Sequence, residues 1–176
     1  MIAMKDKIRG ARAAVARARG FLERWKVEQA EEAATRAVGA LEHEGALPAL
    51  IEALTLLGAA RARSLQAERA RESLRWALVL ADRAGEHRPA GRAALSYLEE
   101  LSAQVSTVEA CDIYLNAYRL LASSRHRETL VRLRRRVAAV IEAAGKEMRA
   151  KQAPGSPSFG GAHCLPIISD GGSKVL

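Results

Sequence analysis

PALIEALTLLGAARARSLQAERARESLRWALVLADRAG, residues 48–85, carries the clearest packing pattern in the chain. It reads as two helices joined by a short turn. Leu54, Leu57 and Gly58 fall on one face of the first helix, and Ala70, Leu74 and Ala77 fall at i, i+4 and i+7 on one face of the second. Gly58 opposite Ala70 removes side chains from the crossing point, so the two backbones can approach closely. A hairpin of this kind cannot bury all its apolar surface alone and asks for neighbours built the same way.

A shift of 40 residues finds those neighbours. Ala30, Ala34, Ala37 and Gly45 precede Ala70, Leu74, Ala77 and Gly85 by that interval, and Ala110, Tyr114 and Ala117 follow the first three by the same one. First-helix positions agree less well: Ala14, Leu54 and Ala94 correspond, as do Ala18, Gly58 and Leu98, and Phe21, Arg61 and Leu101. A period in this range marks a helical repeat array.

The central unit resembles the tetratricopeptide repeat family, whose pattern wants Leu-Gly in the first helix and Ala, a large apolar residue and Ala in the second. Leu57-Gly58, Ala70, Leu74 and Ala77 carry the resemblance, which covers residues 11–124. Departures occur at Arg17, Arg61 and Leu98, and the spacing exceeds the usual repeat of about 34 residues. The resemblance implies an all-α fold, a right-handed superhelical array of about three helix pairs. The expected units are 11–50, 51–90 and 91–124, with a capping helix over 128–150 that closes a repeat domain spanning 1–150.

The flanking sequence fits this plan. Ile8, Ala11, Val15, Ala18, Leu22 and Trp25 alternate at three- and four-residue intervals, an amphipathic helix over 5–26. Being arginine-rich and nearly free of acid, that segment could be read as an organelle transit peptide. The repeat register runs straight through it, however, which a cleaved leader would not need. A second helix over 27–44 opens on Glu28, Glu31 and Glu32, which complement its dipole. Gly45 ends it and Pro48 begins the next, and Pro89 repeats that role before a helix over 90–101. Ser106 and Glu109 have capping-box spacing ahead of a helix that carries Cys111, Tyr114 and Tyr118 and ends at Ser123-Ser124. In the capping helix, Leu130, Leu133, Val137, Val140, Ile141, Ala144 and Met148 form the apolar stripe, and Arg132, Arg135, Arg136, Lys146 and Arg149 form a basic face. From Gln152 onward Gly, Ser and Pro take over, so residues 151–176 are expected to be a disordered tail.

The net charge of +8 conceals an uneven distribution. Residues 1–26 carry +6 and residues 125–151 carry +6, whereas residues 27–124 carry −4. Basic ends can attract phosphate backbones in a salt-sensitive way, but no base-reading module is recognisable. Catalytic patterns are missing as well. His43-Glu44 lacks the second histidine of a zinc-binding HExxH helix, and no GxxxxGK loop exists to cradle phosphates. Cys111 is expected on a helical core face, and His163-Cys164 is an isolated pair in the tail. Two cysteines without CxxC spacing provide no disulfide framework, so a reducing cytoplasm fits. Glu99 and Glu100 diverge around the helix and do not form a paired-carboxylate site. No cofactor and no metal are expected, and the chain is not expected to be an enzyme.

In tetratricopeptide-like arrays the first helices line a concave groove. Counting from the Leu-Gly register places Arg12, Arg19, Glu52, Thr55, Arg63, Arg92, Leu95 and Glu99 on it. A peptide or partner helix is expected there, with Arg12, Arg19, Arg63 and Arg92 contacting acidic groups. Residues 54–101 also look like the repeat region of bacterial tetratricopeptide regulators that continue into a Fis-type helix-turn-helix, and that domain is absent here. The alternative expectation is therefore a truncated transcriptional regulator, or a nucleic-acid-associated protein using its basic terminal helices nonspecifically. No membrane association is expected, and the unmatched apolar end of so short an array leaves room for a homodimer.

Overall fold

A computed structural model describes residues 2–122 and 126–152. These residues form seven α-helices: α1 (Ile2–Glu23), α2 (Val27–Leu41), α3 (Leu47–Arg63), α4 (Ala67–Ala84), α5 (His87–Glu100), α6 (Thr107–Leu121) and α7 (Arg127–Gln152). The odd-numbered helices make a row, α1 against α3, α3 against α5, and α5 against α7. Each even-numbered helix packs on the odd helix before it and on the one after it. No described helix is long and apolar enough to cross a membrane.

The repeat period of the sequence is visible in the burial. Ala30, Ala70 and Ala110 are fully buried, as are Ala37 and Ala77, with Ala117 almost so, and Leu41, Ala81 and Leu121 complete the set one turn later. Small residues at these positions let the helix axes come close, and larger side chains fill the space between crossings. Central α3 buries Leu50, Ile51, Ala53, Leu54, Leu57, Gly58, Ala59 and Ala60, because α1, α2, α4 and α5 all lie against it. At Gly58 an added Cβ would sit 2.4 Å from Leu74 Cγ and 3.2 Å from the Ala70 carbonyl oxygen. That is the close crossing the Gly58–Ala70 pairing predicts. Gly91 plays the same part for α7, since a Cβ there would meet Thr129 Cγ2 at 2.8 Å and Leu121 Cδ1 at 3.2 Å.

The turns repeat too. Trp25 (φ 58°) and Leu65 (φ 61°) are left-handed and 40 residues apart, as are Gly45 (φ 66°) and Gly85 (φ 64°). Lys26 N–H donates to Phe21 O, Gln66 N–H to Arg61 O and Glu86 N–H to Ala81 O, each at 2.9 Å, closing three helices with the six-to-one bond of a Schellman cap. The left-handed residue of such a cap is normally glycine, because a Cβ strains that conformation by about 1 kcal/mol or more. Leu65 is 92% exposed, so its side chain contributes no burial to offset the strain. Leu65→Gly is therefore expected to stabilise the fold by about 0.5–1 kcal/mol. Thermal unfolding followed by circular dichroism should show a midpoint about 2–3 °C higher; an unchanged or lower midpoint would mean that Leu65 makes a stabilising contact.

Several element expectations shift. Trp25, expected to end the α1 apolar stripe, lies beyond the helix and is 74% exposed, because the chain turns left-handed there. Helix α2 stops at Leu41, three residues short, and α5 starts at His87, three residues early. The Ser106 hydroxyl does accept from Glu109 N–H at 3.1 Å, so that cap is present. Helix α7 runs through Gln152, so the first two residues of the tail expected over 151–176 are helical; the rest of that tail, His163-Cys164 within it, and the helix end at Ser123-Ser124 lie outside the described residues. Cys111 is partly buried against the core formed by α4 to α7.

Candidate binding groove

The α1–α3–α5 row leaves a concavity of about 370 Å³, lined by Arg19, Pro48, Glu52, Thr55, Leu56, Glu86, Arg88, Pro89 and Arg92. A second hollow of about 240 Å³ adjoins it, where Arg12, Val15 and Ala16 of α1 face Ala49 of α3, with Arg19 and Glu52 common to both. Five of the eight residues placed on the groove by register, Arg12, Arg19, Glu52, Thr55 and Arg92, are thus brought together.

Glu52 is the centre of this surface. It accepts an ion pair from Arg19 of α1 and another from Arg92 Nη1 of α5 at 3.3 Å. Both arginines are about half exposed, so these pairs add little stability. Their effect is to hold two guanidinium groups at the mouth of the hollow. Burial, then the charges of Arg88 and Arg19, lower the Arg92 pKa. Three guanidinium groups face two carboxylates around the cavity, an excess of one positive charge that an anionic ligand would relieve. Thr55 donates its hydroxyl to Ile51 O at 2.8 Å, which satisfies it within α3. Leu56 and the two prolines supply the apolar part of the lining, the composition expected of a site that recognises a short segment by charge and shape together.

The other three register residues lie elsewhere. Leu95 is 7% exposed and belongs to the core with Leu98 and Leu101, because α6 and α7 cover that side of α5. Arg63 ties together the C-terminal ends of three odd helices. Its Nη2 reaches Glu100 Oε1 of α5 at 2.6 Å, its Nη1 donates to Leu22 O of α1 at 3.1 Å, and its guanidinium lies 4.9 Å from the Trp25 ring centroid. The hydrogen bond to Glu100 raises the Arg63 pKa, against an opposing effect of burial. Glu99 is held by Arg132 and Arg136 of α7, each at 3.2 Å.

Arg132 and Arg136, two of the five basic-face residues, are therefore engaged with the array, and Lys146 is paired with Glu142 at 2.7 Å. Arg135 and Arg149 form no ion pair among the described residues. Pro48, Leu56, Glu86, Arg88 and Pro89 line the larger hollow although register counting omits them. A signal for two of them exists, since Pro48 and Arg88 stand one helical turn before Glu52 and Arg92, on the same face. The 40-residue shift likewise runs from Arg12 through Glu52 and Arg92 to Arg132, the last of them on α7.

Among the described residues no cluster of three or more His, Cys, Asp or Glu side chains could hold a metal ion. No family model, no curated protein and no solved structure matches this chain. What can be stated as its class is an all-α protein built as a row of packed helix hairpins.

Proposed function

We propose that this protein is a non-catalytic, tetratricopeptide-like interaction module, with α7 capping the array, that binds an acidic segment of a partner protein along the α1–α3–α5 row. The observation that carries this reading is the concavity in which Arg19, Arg88 and Arg92 surround Glu52, beside an apolar wall of Leu56, Pro48 and Pro89. An incoming carboxylate replaces or joins Glu52 as the acceptor for these guanidinium groups, and apolar side chains of the segment rest on the prolines. The alternative, a nucleic-acid-associated regulator, is less well supported, because three of the five basic-face residues are already paired with carboxylates of the chain itself.

Selection of displayed random peptides against the full chain tests the reading. Enriched sequences are expected to carry Asp or Glu next to Leu, Ile or Val. The double charge reversal Arg88→Glu with Arg92→Glu should weaken binding of the selected peptides about tenfold or more, taking each exposed contact as worth about 1 kcal/mol. Peptides that bind the reversed variant equally well would place the binding surface elsewhere. Arg63 belongs in a different experiment, since its replacement loosens the junction of α1, α3 and α5 and lowers stability instead.

A further inference from the structure

Two apolar surfaces remain uncovered by the described residues. The first is a trough between α4 and α6. Two concavities of about 480 and 130 Å³ share Leu78, Val79, Ile113 and Asn116, so they form one continuous feature, with α5 contributing Tyr97 to one and Ala90 to the other. Val79 is 46% and Val108 71% exposed along it. Arg75 is paired with Glu109, whereas Asp82 and Asp112, also in the lining, form no ion pair among the described residues. From Val108 to Leu120 the trough follows α6 for about 18 Å at 1.5 Å per residue.

The second surface is the end of α7. Thr129 lies beside Gly91, and Arg132 and Arg136 reach Glu99, so α7 runs parallel to α5. Helix α5 ends at Glu100, whereas α7 continues to Gln152. Leu133, Val137 and Val140 are buried, but Ile141 is 46% and Met148 63% exposed. The overhang from Ile141 to Gln152 is about 17 Å long, close to the length of the trough. Ile141, Ala144 and Met148 share one face of it at i, i+3 and i+7. Lys146 and Lys151 are neutralised by Glu142 and Glu147, and Arg149 has no carboxylate partner among the described residues.

One surface is a ridge and the other a trough, their lengths agree, and the spare charge on the ridge is opposite to the two on the trough. We infer that they cover each other between two copies of this chain: the α7 overhang of one lies in the α4/α6 trough of the other. Ile141, Ala144 and Met148 pack on Leu78, Val79 and Ile113, and Arg149 faces the carboxylates of Asp82 and Asp112. Reciprocal exchange closes the assembly as a two-fold dimer and uses the contact twice, which brings the buried area toward the roughly 1,600 Å² of a stable interface. The α1–α3–α5 groove is left open in both copies.

Sedimentation velocity of the full chain over a micromolar concentration series tests the inference, with two variants at exposed positions: Ile141→Glu with Met148→Glu, and Val79→Glu with Val108→Glu. The unmodified chain is expected to dimerise and each variant to dimerise about tenfold less tightly or worse. An equimolar mixture of the two variants should associate more tightly than either alone, because one ridge and one trough remain intact between them. A monomeric unmodified chain, a dimer indifferent to either pair of substitutions, or a mixture no better than its components would each overturn the exchange. Should the trough variant lose helicity by circular dichroism, Asp82→Arg with Asp112→Arg probes the same surface through its charge and is expected to weaken the dimer.

Discussion

Gly58→Ala is expected to lower stability by about 2–3 kcal/mol, since an added Cβ there makes the shortest contact of any at the described glycines. On helix propensity alone the substitution should help, since alanine is favoured over glycine in a helix interior by about 1 kcal/mol. Packing decides the sign. The new Cβ would fall 2.4 Å from Leu74 Cγ and 2.9 Å from its Cδ2, with the Ala70 carbonyl oxygen at 3.2 Å. Leu74 is fully buried, so its displacement must disturb packed neighbours, and a backbone oxygen cannot turn away at all. Helices α3 and α4 must separate, and α3 is the helix on which four others rest. A fall of roughly 5–10 °C in the unfolding midpoint follows for a chain of this size. Gly39, where an added Cβ meets nothing within 4 Å, provides the control: Gly39→Ala should gain about 1 kcal/mol from propensity. Equal midpoints for the two variants would show that the α3–α4 crossing yields without cost.

The second large effect is electrostatic. Glu109 of α6 accepts hydrogen bonds from Arg71 at 2.6 Å and Arg75 at 2.7 Å, both on α4, and from the Tyr97 hydroxyl of α5 at 2.6 Å. Burial by itself would raise the carboxyl pKa, but the three donors together pull it down to about 2. For Tyr97, burial, then the hydrogen bond to Glu109 and its charge, push the phenol up to about 12. A carboxyl depressed on folding stabilises the native state above its unfolded value near 4.5, and that contribution is lost as pH falls from there toward 2. Linkage sets a ceiling of about 3 kcal/mol, which partial solvent exposure reduces to about 2. The tyrosine works in the opposite direction: its contribution is whole below pH 10 and disappears as pH rises toward 12.

Glu109→Gln should accordingly cost about 2 kcal/mol at neutral pH, because Arg71 and the buried Tyr97 hydroxyl keep their places but lose their charged acceptor. The diagnostic result lies in the pH profile. Urea unfolding midpoints of the unmodified chain should fall steeply between pH 4.5 and 2, and the variant should show a shallower acid limb. Parallel acid limbs would mean that this carboxylate is not what acid titrates. Tyr97→Phe, which removes one of the three donors, should cost about 1 kcal/mol and leave a partial acid limb.

The repeat in the sequence and the all-helical structure agree because both follow from local spacing. An alanine recurring at the same phase of a helix every 40 residues must face the same kind of neighbour each time, and Ala30, Ala70 and Ala110 do. The residues that line the hollows were legible only in part. Arg12, Arg19, Glu52 and Arg92 could be placed by register because helix phase alone determines which way they point. Arg63 and Glu99 were phased acceptably, yet their surroundings come from other helices. Arg63 meets Leu22 at the end of α1 across 41 residues of chain and Glu100 of α5 across 37, and Glu99 meets Arg132 of α7 across 33. Leu95 shares the phase of the groove residues, and nothing local says that α6 and α7 will cover it.

Helix phase, turn placement and the identity of the small crossing residues are properties of near neighbours in the chain and are written locally: seven helices' worth of amphipathic spacing, the Ser106 cap, the Gly45 and Gly85 turns, and the need for a residue without a side chain at position 58. Ion-pair partners, the left-handed strain at Trp25 and Leu65, the grouping of Arg88 with Arg19 around Glu52, and the length by which α7 overruns α5 were decided only by the tertiary structure. Each depends on where one helix stops relative to another, a distance set by packing summed over the whole core and not written at any single position.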